Sequence, residues 1–211
     1  MLYHFFKMLV MTYLRMVLSV RVKGLENIPK NGSAILIANH PSILDGFLLL
    51  SILEREFYVF ANSRFFESKL RLWFLKTLKA IPVDARRDNR HSLIKAERKL
   101  SEDNLLLIFP EGKVNDGKDL FQFKNSFVHL AANAKVPVIP IVIYGSHIVM
   151  KDKKFFPSHG KVYINILPPV VLNDKANCLE KENTAQISKD IRNMMIGNLE
   201  ELKGNLKKYG N

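Results

Sequence analysis

The chain has a single cysteine, Cys178, among its 211 residues. An intrachain disulfide is therefore impossible, and so is a multi-cysteine metal site. No complete glycine loop for phosphate occurs, of either the nucleotide or the dinucleotide type. No Gly-x-Ser-x-Gly turn presents a serine nucleophile. No His-x-x-x-His pair offers metal ligands on a helix face. No uninterrupted apolar run reaches the roughly 20 residues of a spanning helix. Acidic residues are scarce as well: 20 stand against 32 Lys and Arg, leaving a net charge of +12. Disulfide scaffolds, P-loop nucleotide hydrolases, dinucleotide oxidoreductases and hydrolases with a serine nucleophile elbow are thereby set aside.

What remains has the composition of a folded protein, with 47% hydrophobic and 25% charged residues. The length suits one domain with an appendage. The positive charge is concentrated. Residues 64–99 carry eleven Lys and Arg against four acidic residues, more than half of the excess. Such a surface suits an acidic partner, whether anionic lipid, nucleic acid, a phosphorylated substrate or an acidic carrier protein. Residues 1–20 are rich in Leu, Met, Phe, Val and Tyr, but Lys7 and Arg15 break the run. A helical wheel puts His4, Lys7, Met11 and Arg15 along one side. This pattern predicts a helix lying in a membrane interface, with a docked core helix and a true span as the alternatives. No small-residue cleavage site follows, which argues against a secretory signal peptide.

Beyond this segment, helices and strands alternate. Short strands are expected at 21–28, 57–61 and 81–84, and buried apolar strands at 34–38, 105–109 and 138–144. Residues 161–167 alternate as an edge strand does, and the stretch 161–171 suits an antiparallel doublet. Helices are expected at 42–53, 65–78, 89–101, 125–135 and 183–203, the last with an Asn183…Gln186 capping arrangement. The predicted fold is α/β: a mixed, mostly parallel sheet with helices on both faces, plus the N-terminal interfacial helix. The domain reading is 1–20 for the membrane-associating helix and 21–211 for the α/β domain.

Four blocks carry chemistry. In the first, Asn39-His40-Pro41-Ser42-Ile43-Leu44-Asp45-Gly46, a buried strand ends and a helix begins. Open α/β sheets place their sites at such ends. His40 and Asp45 lie five apart. They meet only if His40 precedes the helix and its ring folds back over the first turn. Asp45 would then fix the imidazole tautomer and leave the other nitrogen as a base. Ser42-x-x-Asp45 is also a capping box, so this block alone supports either role. In the second, Ile108-Phe109-Pro110-Glu111-Gly112-Lys113, another buried strand delivers Glu111 toward the same crevice; Pro-Glu-Gly is also an ordinary turn. The third, Ile81 to Asp88, ends in Arg86 and Arg87, a phosphate fork or a solvated charge run. The fourth, Val136 to Val142, is a proline-marked buried strand. His91, His129, His147 and His159 have no motif partners and read as structural or exposed.

Taken in order, the blocks resemble the glycerolipid acyltransferase family of the lysophosphatidic acid acyltransferase type. The resemblance covers roughly residues 30–150. It rests on His40…Asp45, Phe109-Pro110-Glu111-Gly112, Phe121-x-Phe123-Lys124 and Val136–Pro140. It implies transfer of a fatty acyl group from an acyl thioester, acyl-CoA or acyl-carrier protein, to a lysophospholipid hydroxyl, in phospholipid biosynthesis. Lysophosphatidate heads the candidate acceptors; another lysolipid or glycerol-3-phosphate is the alternative. His40 would be the general base and Asp45 its orienter, without a covalent enzyme intermediate. Arg86, Arg87, Glu111, Gly112 and Lys113 would bind the acceptor. No cofactor and no metal is implied. Backbone N–H groups at 41–43 would meet the oxyanion. The expected location is a membrane surface with anionic lipid, at the cytoplasmic face, with no nucleic acid as partner. A reading of a different class, a non-catalytic lipid- or nucleic-acid-binding basic protein, is opposed by the intact His40, Asp45 and Glu111. The chain departs from the family pattern at Ala85, where arginine usually follows the aspartate, so Arg86 and Arg87 compete for that role. It departs again at Lys113-Val114-Asn115, where Thr-Arg-Ser is common, and at Asn125, often glycine.

Overall fold

Three apolar runs decide the architecture. The structure, a computed structural model, describes residues 2–67, 69–84, 89–150, 156–172 and 178–209. The runs become β2 (Ala34–Ala38), β5 (Leu105–Ile108) and β6 (Val138–Tyr144). Strand side chains alternate between faces, and each run splits accordingly. Leu36, Leu107, Ile139 and Ile141 enter one core. Ile35, Ile37, Leu106 and Val142 enter the other. A run apolar at both parities is thus buried on both sides, which requires helices on both faces.

Those helices are present. The first core is covered by α1 (Leu2–Val17) and α2 (Asp45–Ile52). The second is covered by α4 (Arg90–Leu100), α5 (Ser126–Ala134) and α7 (Lys181–Tyr209). A further helix, α3 (Lys69–Thr77), precedes β4 (Ala80–Val83), and a four-residue α6 (Ser146–Val149) follows β6. With β1 (Leu18–Lys23), β3 (Phe57–Asn62) and β7 (Gly160–Ile166), the described strands form one sheet in the order β1-β7-β6-β2-β5-β3-β4. All neighbours are parallel except β6 and β7. The carboxyl ends of β2, β5 and β6 therefore lie along one sheet edge, together with the start of β7.

Several expectations need correction. The stretch 160–166 is not an edge strand, because β1 pairs with its far side. That pairing also ends the first helix at Val17, before the anticipated residue 20. β1 closes the sheet with Ser19, Arg21 and Lys23 exposed, a charged edge that discourages further pairing. Asn183 does not cap the last helix. The chain is already helical there, and Thr184 turns its N–H to Glu180 O and its hydroxyl to Cys178 O.

The first helix is docked on one side and bare on the other. Leu14 is 2% exposed within the first core, whereas Phe5, Met8, Leu9 and Met16 face outward, Met16 with 75% exposure. The polar side does not point to solvent along its whole length. His4 Nε2 reaches Glu56 Oε1 at 3.2 Å. The Lys7 ammonium donates to Leu53 O and, at 3.1 Å, to Glu54 O. A cation at these carbonyls caps the carboxyl end of α2. Among the described residues no helix is long and apolar enough to cross a membrane.

This two-sidedness separates neighbouring positions. Leu14→Ala should cost about 2–4 kcal/mol by deleting buried methyl groups, while Met16→Ala should stay within about 0.5 kcal/mol. Urea unfolding of both variants checks the contrast; equal losses would mean that the helix is not docked this way.

Candidate active site

β2 hands its last residues to the site through a side chain that imitates a strand. Beyond the last β2–β6 rung, Asn39 Nδ2 donates to Ile143 O at 2.8 Å, and its Oδ1 accepts from Ile143 N at 2.7 Å. The amide replaces the next pair of sheet hydrogen bonds, so the following residue can leave the sheet without orphaning Ile143. That residue is His40. Its ring stacks on Phe109 at the end of β5, with centroids 4.0 Å apart and planes 19° apart.

His40 and Asp45 meet as the spacing requires. His40 stays ahead of the helix, and its Nδ1 lies 3.0 Å from Asp45 Oδ2. The same oxygen accepts from Ser42 N–H at 2.8 Å. The expected capping box at Ser42 does not form, since the helix starts later without a side-chain cap; Asp45 instead braces the entry turn and orients the imidazole with one oxygen. Helix α2 begins at Asp45 rather than at the expected Ser42, because 42–44 turn to bring the carboxylate back onto its own entry. Ser42 Oγ accepts from Leu44 N–H at 3.2 Å.

Asp45 is fully buried. Burial pushes its carboxyl above the ordinary range, opposed by His40, by the nearby Ser146 hydroxyl and by the Ser42 N–H. The contact with His40 Nδ1 leaves Nε2 as the nitrogen available to a substrate. His40 keeps 18% side-chain exposure, so a small polar group can reach it.

Glu111 reaches the same crevice, as anticipated, but spends its carboxylate on the protein. It is 5% exposed. Oε1 accepts from the His40 N–H at 2.9 Å and from Asn115 Nδ2 at 2.9 Å. Oε2 accepts from Asn115 Nδ2 and from Phe121 N–H, both at 2.8 Å. Asn115 N–H in turn donates to His40 O at 2.8 Å. The loop after β5 is thus tied to both sides of the His40 backbone. From the opposite helical layer, Arg192 of α7 clamps the loop through Phe121 O at 2.8 Å and Leu120 O. Neither Asn115 nor Arg192 was singled out by the sequence. Asn115 occupies a position where the motif departs from pattern, which was its one visible signal. Arg192 had none.

The cations are arranged around this loop. Gly112 has φ +70°, and a Cβ there would come 2.9 Å from Lys124 Nζ. Glycine lets the Lys124 side chain lie across the turn. Lys113 Nζ stands 4.3 Å from the Phe121 ring centroid, a cation–π contact. Arg86 and Arg87 lie outside the described residues. Among the described residues no cluster of His, Cys, Asp or Glu could hold a metal ion.

Because four hydrogen bonds converge on Glu111, replacing it with glutamine would turn an amide nitrogen toward N–H donors. Glu111→Gln should destabilise the protein by about 2–4 kcal/mol. A chemical unfolding curve matching the parent within error would show that the carboxylate is not this anchor.

Comparison with known proteins agrees with this geometry. The Acyltransferase family model matches residues 19–144. The chain is 28% identical over 193 residues to the 1-acyl-sn-glycerol-3-phosphate acyltransferase of Borreliella burgdorferi, covering 88% of this chain and 74% of that protein. It is 28% identical over 192 residues to the Saccharomyces cerevisiae protein of the same name, covering 88% and 61%. With the alpha form from Mus musculus it shares 26% over 184 residues, covering 84% and 62%. The chain thus spans about three-fifths of the length of the last two relatives. The crystal structure of the 1-acyl-sn-glycerophosphate (LPA) acyltransferase PlsC from Thermotoga maritima superimposes with a TM-score of 0.74 at 24% identity. That likeness covers 95% of this chain and 81% of that one, and it establishes the shared fold. With His40, Asp45 and the Phe109–Gly112 block all inside the matched residues, the chain belongs to the acyltransferase family.

Proposed function

We propose that the protein transfers a fatty acyl group from an acyl thioester to the free hydroxyl of lysophosphatidate, forming phosphatidate in phospholipid biosynthesis. The observation that carries this reading is the His40–Asp45 contact at the carboxyl edge of the sheet. The names of the relatives, all 1-acyl-sn-glycerol-3-phosphate acyltransferases, supply the acceptor.

In this mechanism His40 Nε2 takes the proton of the acceptor hydroxyl as its oxygen attacks the thioester carbonyl. Asp45 steadies the imidazolium through Nδ1. The tetrahedral intermediate collapses with cleavage of the carbon–sulfur bond, and the thiolate recovers the proton from His40. No group on the enzyme is acylated. Ser42 N–H is occupied by Asp45 and Leu44 N–H by Ser42 Oγ, and Pro41 has no N–H. Of the turn 41–44, Ile43 N–H is left for the oxyanion. Acyl-CoA and acyl-carrier protein are both acidic and both suit the basic surface.

Acceptor phosphate falls to cations beside this turn. Lys113 and Lys124 flank Gly112, and Arg86 or Arg87 supplies a further charge. Glu111 serves as the anchor of the loop rather than as a ligand. This reassigns it from substrate binding to positioning.

Membrane association is assigned to the bare side of α1. Phe5, Met8, Leu9 and Met16 form an exposed apolar stripe, the side an interfacial helix buries among acyl chains. Exposed Arg15 meets anionic headgroups. The bilayer surface is placed at the cytoplasmic face, where acyl thioesters are made.

Three outcomes follow. His40→Ala should lower acceptor-dependent thiol release from an acyl thioester by about 100-fold or more; near-parental turnover would refute the base assignment. Asp45→Asn should lose comparable activity while holding its melting temperature at pH 7, or raising it. The sign follows from the raised carboxyl: the folded state binds the proton more tightly than the unfolded one, so ionisation costs stability as pH rises through that window, and a neutral amide avoids the cost. A melting temperature lower at pH 7 than at pH 4, relative to parent, would contradict this. Met8→Glu with Leu9→Glu should weaken co-sedimentation with anionic vesicles several-fold; unchanged binding would move the membrane contact elsewhere.

A further inference from the structure

The Asp45 carboxylate has a second side. Its Oδ2 serves His40 and Ser42, but Oδ1 is fully buried and engaged in no hydrogen bond in this geometry. The Ser146 hydroxyl lies against this carboxylate. It too is fully buried and without a hydrogen bond in this geometry. A buried acceptor and a buried donor thus face one another, each costly to leave unmet.

The backbone puts Ser146 there by design of the turn. Asn39 clamps the end of β2 to Ile143, three residues earlier. Gly145 then turns the chain with φ +94°, where a Cβ would come 2.5 Å from Lys161 O. Only glycine makes this turn without strain, and it rolls Ser146 inward at the start of α6.

We propose that Ser146 is a positioning residue for acyl transfer, donating its hydroxyl to Asp45 Oδ1 so that Asp45 stays ionised and holds His40 in its working tautomer. This rests on the reading of His40 as the base. Among the described residues, two titratable groups act on Asp45 directly. His40 faces it from the end of β2 and His147 from α6; Asp116 and Lys203 face His147 from beyond. The histidine set aside in the sequence as structural or exposed is therefore a neighbour of the site, with its ring over Gly117.

The test compares Ser146→Ala and Ser146→Thr with the parent, following the His40 and His147 imidazoles separately by NMR across pH. Loss of the donor should move the acidic step of the His40–Asp45 pair upward by about half to one pH unit. kcat should fall about three- to tenfold with KM within twofold, and threonine should restore both. A double-mutant cycle on stability supplies a readout that needs no activity: in an Asp45→Asn background, Ser146→Ala should cost measurably less than in the parent. An unmoved titration in Ser146→Ala, or fully additive stability effects, would overturn the proposal. The titration and the cycle are independent of turnover, so a parent protein without acyl transfer would refute the functional reading and leave the Ser146 contact to be judged separately.

Discussion

A buried carboxylate governs this site. Asp45 sits where water cannot solvate it, and an ionised group there must receive its stabilisation from fixed donors. Two donors stand in its own entry turn, the ring of His40 ahead of the helix and the backbone of Ser42; the proposed third is the Ser146 hydroxyl from the segment after β6. The last of these would be out of reach unless β2 and β6 were neighbours. Asn39 enforces that proximity beyond the last true rung by giving Ile143 a surrogate strand. The cost of burying Asp45 thus explains the adjacent structure: the short turn, the delayed helix start, the inward roll of Ser146.

Glu111 applies the same logic in the other direction. Its lone pairs are filled by backbone and amide donors, which makes it a staple between β5, the following loop and the His40 backbone. Both of its oxygens are engaged by the protein itself. Lys113 and Lys124 stand on the same loop as exposed cations. The division is physical: the buried anion shapes the loop, and the cations are left exposed, where the proposed function uses them. Arg192 extends the brace to α7, so both helical layers bear on one histidine.

The first helix combines docking on the domain with an exposed apolar side. Its mixture of apolar residues and two cations suggested a polar side turned to headgroups. Lys7 instead faces inward and caps α2, because the exposed carbonyls at that helix end are a closer partner than any lipid. The apolar residues divide: Tyr3 and Leu14 are buried in the core, and Phe5, Met8, Leu9 and Met16 are left bare. A wheel reports which residues share a side; it does not say which side the domain takes.

Much was legible in the residues. Apolar runs of both parities dictated a sheet buried on both faces, since no other arrangement shelters every side chain. The spacing of His40 and Asp45 required a histidine ahead of a helix, and the carboxyl end of a buried strand was the one local context that allows it. Strand order was not legible, because pairing depends on which apolar faces meet in space. The shift of 160–166 from edge to interior, the contacts of Asn115 and Arg192, and the engagement of Glu111 with the His40 backbone were not legible either, because they join segments brought together only by the fold. Sequence determined the chemistry available, since ionisable side chains carry it wherever they stand. Tertiary structure decided which of those groups face substrate and which are consumed in holding the others, because only burial and partner geometry tell a free carboxylate from a saturated one.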